Sequence, residues 1–133
     1  MALPTPHPTL KEVQIHTSTQ SIASTPLAAV ARAPFRGKVV KVGAVSHGAF
    51  TTDCSVAVAI IPGVAGGTAP GGGTAITGSP MTLTASNSAA GTSTSMIPTG
   101  ANLVNEDDLI MFTPSGSTGT TIGGTFYAVI QTA

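Results

Sequence analysis

The sequence predicts an all-β chain: a jelly roll or β-sandwich of about seven or eight short strands with an extended N-terminal arm. Three observations predict it. Thr and Val, which favour pleated and half-buried surfaces, recur along the whole chain. Sixteen Gly and ten Pro break up any helical pattern. The apolar runs are short and are separated by Gly/Pro/Ser/Asn turns at intervals of about ten residues.

The 133 residues suit one core, with no length left for a second. Disorder is excluded by composition, because disordered chains pair low hydrophobicity with high charge, and here mean hydropathy is +0.36 with 8% charged residues. Ordinary soluble domains carry roughly 25% charge. A free monomer relies on surface charge for solubility, whereas a subunit of a permanent assembly hides that surface. Assembly is therefore preferred to a monomer coated by Thr and Ser hydroxyls, since interfaces deplete charge. Aromatics are four Phe and one Tyr, so the core is packed by aliphatic residues and is thin. Thin cores gain most from oligomerisation.

Along the chain, Pro4, Pro6 and Pro8 hold the first ten residues extended, as a tail or as an arm lying along a neighbour. Residues 1–31 are read as this arm with a possible edge strand, and 32–133 as the sandwich domain. Val13, Ile15 and Thr17 alternate with Glu12, Gln14 and His16, the period of a half-buried strand. Residues 21–33 fit either a short helical turn after Pro26 or a strand. Residues 35–46 form the strongest strand pattern, with Arg36 and Lys38 on one face and a break at Val39-Val40 that suggests a bulge or a buried central stretch. After a loop over 47–53, the apolar run 54–61 returns, and the two runs are expected to pair as a hairpin. A surface loop over 62–74, a strand near 81–85, a polar turn over 102–108 and strands at 109–113 and 124–131 follow. In the last, Phe126, Ala128 and Ile130 face opposite to Tyr127 and Val129.

Chemistry is poorly provided for. Cys54 is the single cysteine, so an intrachain disulfide or a cysteine metal cluster is ruled out. His47 and Cys54 are the one conceivable nucleophile–base pair, and Cys54 opens a core strand, where a small buried thiol is the commoner outcome. Glu106-Asp107-Asp108 are consecutive and point apart, so a solvated turn is preferred to a calcium site. Arg36-Gly37-Lys38 and Gly71-Gly72-Gly73 both lack the residues of a phosphate loop. Paired carboxylates are too few for glycosidase work. The expectation is a protein that is not an enzyme, with no catalytic, cofactor or metal residues.

Net charge is zero, which argues against electrostatic nucleic-acid binding. No basic and apolar signal segment and no run of about 20 apolar residues is seen, so a cytoplasmic origin and no membrane partner are expected. All five cations, Lys11, Arg32, Arg36, Lys38 and Lys41, precede residue 42, and four of the five acids follow. Such polarity would orient a subunit on an acidic surface; five scattered solubilising cations are the alternative.

The succession APFRGKVVKVGAV (33–45), SVAV (55–58), ITG (76–78), MTL (81–83), SAAG (88–91) and ANLVNEDDLI (101–110) resembles the head decoration (cement) proteins of tailed bacteriophages and related small head-fibre proteins. The resemblance covers roughly residues 32–131. It implies a jelly-roll or β-sandwich module on the outer surface of the virion, made in the host cytoplasm, that bridges major capsid subunits. It further implies a homo-oligomer, with a trimer preferred to a dimer because local three-fold axes are common docking points. Pro4, Pro6, His7, Pro8, Arg32, Arg36 and Lys38 are the expected partner-binding residues. A head-fibre or tail-tip module binding a host surface glycan is the alternative.

Overall fold

A computed structural model describes residues 11–63 and 73–132. The expected arm, with Pro4, Pro6, His7 and Pro8, and the centre of the expected 62–74 loop lie outside the described residues. Ten strands follow in order: β1 (Glu12–Thr19), β2 (Ala29–Arg32), β3 (Gly37–Ser46), β4 (Cys54–Ile61), β5 (Thr74–Ala75), β6 (Met81–Leu83), β7 (Ser93–Met96), β8 (Leu103–Val104), β9 (Leu109–Ser115) and β10 (Gly124–Thr132). No helix occurs among the described residues, and the segment left open between helix and strand ends in β2.

The strands form two antiparallel sheets packed face to face. One has the order β1-β10-β3-β7 with β8 also on β3; the other is β2-β9-β4-β5 with β6 also on β4. Because β5 and β6 share one neighbour, and β7 and β8 another, the ten strands fill eight positions. The pairing is nested: β1 with β10, β2 with β9, β3 with β7 and β8, β4 with β5 and β6. A chain doubled into one long hairpin and then rolled up gives this pattern, the winding of a jelly roll.

Nesting overturns the expected hairpin between 35–46 and 54–61. β3 and β4 lie in different sheets, and residues 47–53 cross between the sheets. Two signals that sequence spacing ignores explain the crossing. Phe50 within the loop is buried in the shared core, and its N–H and C=O are held by the Ser88 hydroxyl at 3.0 Å each. A surface hairpin loop would have left that ring in water.

Of the two readings of the Val39-Val40 break, the structure shows the bulge. β10 pairs Val129 with Lys41 and Ile130 with Val39, leaving Val40 as the extra residue of β3. The bulge re-phases the strand: Gly37 and Val39 face inward before it, and Val42, Ala44 and Ser46 after it, while Lys38 and Lys41 both stay exposed. Asn102 repairs the ladder nearby. Its C=O accepts from Val39 N at 2.8 Å, and its Nδ2 donates to Val39 O at 2.7 Å, so a buried side chain does the work of a strand neighbour.

The inner faces form one core. Phe112 of β9 and Phe126 of β10 stack at 5.1 Å across the two sheets, and Ile22, Val39, Val42, Val56, Val58, Ile110 and Ile130 surround them fully buried. β10 keeps the predicted alternation, with Phe126, Ala128 and Ile130 buried and Tyr127 and Val129 half-buried.

Candidate partner-binding surface

Strand direction decides where the charges go. β1 and β3 begin, and β2, β4 and β10 end, at one end of the sandwich, called the base here; the opposite end is the apex. Lys11, Glu12, Arg32, Arg36, Lys38, Glu106, Asp107 and Asp108 all lie at the base, through the pairings Glu12–Gln131, Gln131–Lys38, Arg32–Leu109 and Gly37–Val104. Lys41 sits part-way along β3, and Asp53 stands near the apex, just before β4. The sequence polarity of cations before acids is thus cancelled by the fold. Four cations and four acids meet at one end, so the base does not carry a single sign of charge.

Arg32 and Asp107 approach to 3.8 Å, both about two-thirds exposed, so the contact holds little energy. It is the one ion pair among the described residues. Arg36 and Lys38 are exposed and outside it, and Lys11 reaches 5.8 Å from the Phe35 ring centre. Asp108 shapes the acidic turn. Its carboxylate accepts from Asn105 N at 2.8 Å and from Gly63 N at 3.1 Å, tying the β8–β9 connection to the end of β4.

A cleft of about 550 Å³ opens at this base between the sheets, lined in part by Lys38, Ile60, Pro62, Asn102, Leu103 and Asp108. Leu103 pairs with Lys38 across β8 and β3 and is 70% exposed. Its neighbour Val104 faces the core at 2% exposed. An exposed leucine beside unpaired cations and a capped carboxylate matches the apolar-centre, polar-rim composition of interfaces. Of the expected partner-binding residues, the base gathers Arg32, Arg36 and Lys38. Leu103, Asn102 and Asp108 were missed. The signal was Leu103-Val104, a strand pair inside a segment read as a polar turn.

The two outward faces differ. The first sheet presents Glu12, Gln14, His16, Lys38, Lys41, Tyr127 and Gln131. The second presents Val30 (48% exposed), Ala57, Ala59, Leu109, Met111 and Thr113, with Arg32 its charged member. A solvated antiparallel face is ordinarily polar. The second face is short of charge in the way the composition foreshadowed.

Cys54 and His47 are not brought into a working pair. The thiol is fully buried and lies 3.6 Å from Ile22 O, in the second sheet. His47 follows β3 of the first sheet, and its Nε2 bonds the Thr125 hydroxyl at 2.8 Å. Burial pushes the Cys54 thiol above its ordinary pKa, only partly offset by a hydrogen bond to the backbone of Ser115. A thiol kept protonated in the native state favours folding below the ordinary thiol pKa, and that contribution fades as pH rises through the raised value. We therefore expect a disulfide reagent at pH 8 to label native Cys54 at least about tenfold more slowly than the urea-unfolded chain. Equal rates would show that the core opens freely.

No group of three or more His, Cys, Asp or Glu placed to hold a metal occurs among the described residues. No protein-family model matches this chain, and no curated protein does.

Proposed function

We propose that this chain is a structural virion protein that binds the outer surface of a phage head as an oligomer and cements neighbouring major capsid subunits. The observation that carries the reading is the base: Lys38 and exposed Leu103 line a cleft, and exposed Arg36 precedes β3 at the same end, where Lys11 also lies. A mixed-charge rim around an apolar anchor gives register and specificity on a patterned surface. Net attraction to one sign of charge is not required. The charge-poor outward face of the second sheet, with Arg32 its charged member, supports the oligomer, since self-contact there leaves few charges to desolvate.

Co-sedimentation with purified heads lacking this chain, taken from the particle that encodes it, tests the proposal. Wild-type protein should saturate the heads. The full-length Arg36→Glu/Lys38→Glu variant should bind at least about tenfold more weakly, because buried charge contacts at interfaces are worth about 1.5 kcal/mol or more. Absence of wild-type binding overturns the proposal.

One observation favours the glycan-binding reading. Tyr127 lies on the outward face of the first sheet with its ring across Gly43, where an added Cβ would fall 2.1 Å from Cζ, and His16 stands opposite it in β1. A half-exposed ring held flat is a platform for a sugar face. Binding on a glycan array that is lost in Tyr127→Ala would select this reading.

A further inference from the structure

Sheet edges exposed by a jelly roll are normally short or blunted by Lys, Pro or a bulge. β2, β5, β6, β7 and β8 obey the first device, being two to four residues long. β1 obeys none of them. It is an eight-residue edge strand without Lys or Pro, and its register with β10 runs unbroken from Glu12–Gln131 to Thr19–Gly124.

Lys11 and Thr132 continue that register, and Thr132 N donates to Lys11 O at 2.9 Å. Odd-numbered residues of β1 therefore bond to β10. The N–H and C=O groups of Glu12, Gln14, His16 and Ser18 point to the open side, and none finds a backbone partner among the described residues. Four donors and four acceptors stand in a row, two residues apart.

The sequence before β1 has a matching row. In an extended strand, successive residues direct their backbone groups to opposite edges. In MALPTPHPTL, Leu3, Thr5, His7 and Thr9 bear N–H groups that share one edge, while Pro4, Pro6 and Pro8 lack the N–H on the other. Such a strand pairs on one side only and ends the sheet on the other. The faces agree as well. Residues opposite Glu12, Gln14, His16 and Ser18 share their outward face, which suits Thr5, His7 and Thr9. The prolines then fall on the inward side, beside half-buried Val13 and Ile15.

The chain's own segment is badly placed to make this pairing. Returning along β1 needs a tight turn at Thr9-Leu10-Lys11, with no Gly, Asn or Asp. Lys11 is also already held to Thr132 on the β10 side, its N–H donating to the Thr132 hydroxyl at 3.0 Å. We propose that the open edge of β1 receives residues 3–9 of a second copy of this chain as an added antiparallel strand, with its prolines closing the sheet. This deepens the assembly reading above by naming the partner of one edge, and it needs no capsid.

The test uses full-length protein in solution, followed by light scattering and by amide hydrogen exchange. Wild-type chain should be oligomeric, with the amides of Glu12, Gln14, His16 and Ser18 protected at least about tenfold more than in Thr5→Pro/His7→Pro, which removes two docking donors. That variant should also dissociate towards monomer. Pro6→Ala, which keeps every docking donor, should resemble wild type. Three results overturn the proposal: a monomeric wild type, the same four amides protected independently of protein concentration, or a Thr5→Pro/His7→Pro variant unchanged in mass and protection. Head co-sedimentation reads the capsid proposal separately, so either can fail alone.

Discussion

Replacing Phe112 by alanine should lower the unfolding free energy by about 3–5 kcal/mol, read as a fall in urea midpoint at unchanged slope. Domains of this size hold only about 5–15 kcal/mol in total, so much of the fold would be at risk. Phe112 is fully buried and stacks on Phe126 at 5.1 Å, with the rings 5° from parallel. One ring comes from each sheet, so the stack spans the interface between layers. The chain has four Phe and no Trp, and apart from Phe50 the rest of the buried core is aliphatic side chains, Met81 and the Cys54 thiol. Val and Ile on strands are stiff at χ1 and cannot swing into the vacated volume. The cavity would persist, and its cost adds to the lost transfer energy. A loss under about 1 kcal/mol would mean that the sheets collapse onto the gap, and that the stack does not set their spacing.

Gly37→Val is expected to be the other severe change, at about 3 kcal/mol, read by the same unfolding experiment. Arg36-Gly37-Lys38 fails as a phosphate loop in the sequence, and the structure assigns the glycine a different task. A Cβ at Gly37 would lie 2.3 Å from the Gln131 carbonyl oxygen and 3.1 Å from Ile130 Cγ2. The first of these is backbone, so the clash cannot be relieved by a rotamer change. β10 would have to move away from β3 at the base, where Gly37 also pairs with Val104 of β8. Lys38 and Leu103 would move with it. Loss of head binding in a still-folded Gly37→Ala chain would then follow from the displaced base. A Gly37→Val protein as stable as wild type would refute the close approach of β10 to β3.

The strands of this protein were largely legible from local pattern. Period-two alternation places Val13, Ile15 and Thr17 on one face and Glu12, Gln14 and His16 on the other, and the same reasoning sorts β10 correctly. The Val39-Val40 doublet located the bulge, because two adjacent apolar residues cannot both face inward on a regular strand. Burial of Cys54 followed from its place at the head of an apolar run. All of these depend on residues near one another in sequence.

Strand partnership was not legible in that way. Runs 35–46 and 54–61 are equally good neighbours by pattern, and only the burial of Phe50 and the nesting of distant pairs sends them to separate sheets. Asn102 illustrates the same limit. Nothing local marks it, and its value comes from Val39, sixty-three positions away. The site was divided likewise. Arg32, Arg36 and Lys38 stood out as cations, but Leu103 and Asp108 joined them only when β8 paired with the start of β3.

By itself, then, the sequence determined an all-β chain, its alternating faces and its bulge, because those follow from side-chain period and short-range sterics. Tertiary structure alone decided which strands meet, that cations and acids share the base, and that β1 is the long edge strand of its sheet among the described residues. Those outcomes depend on the direction in which each strand runs through the roll, and strand direction is a property of the whole winding.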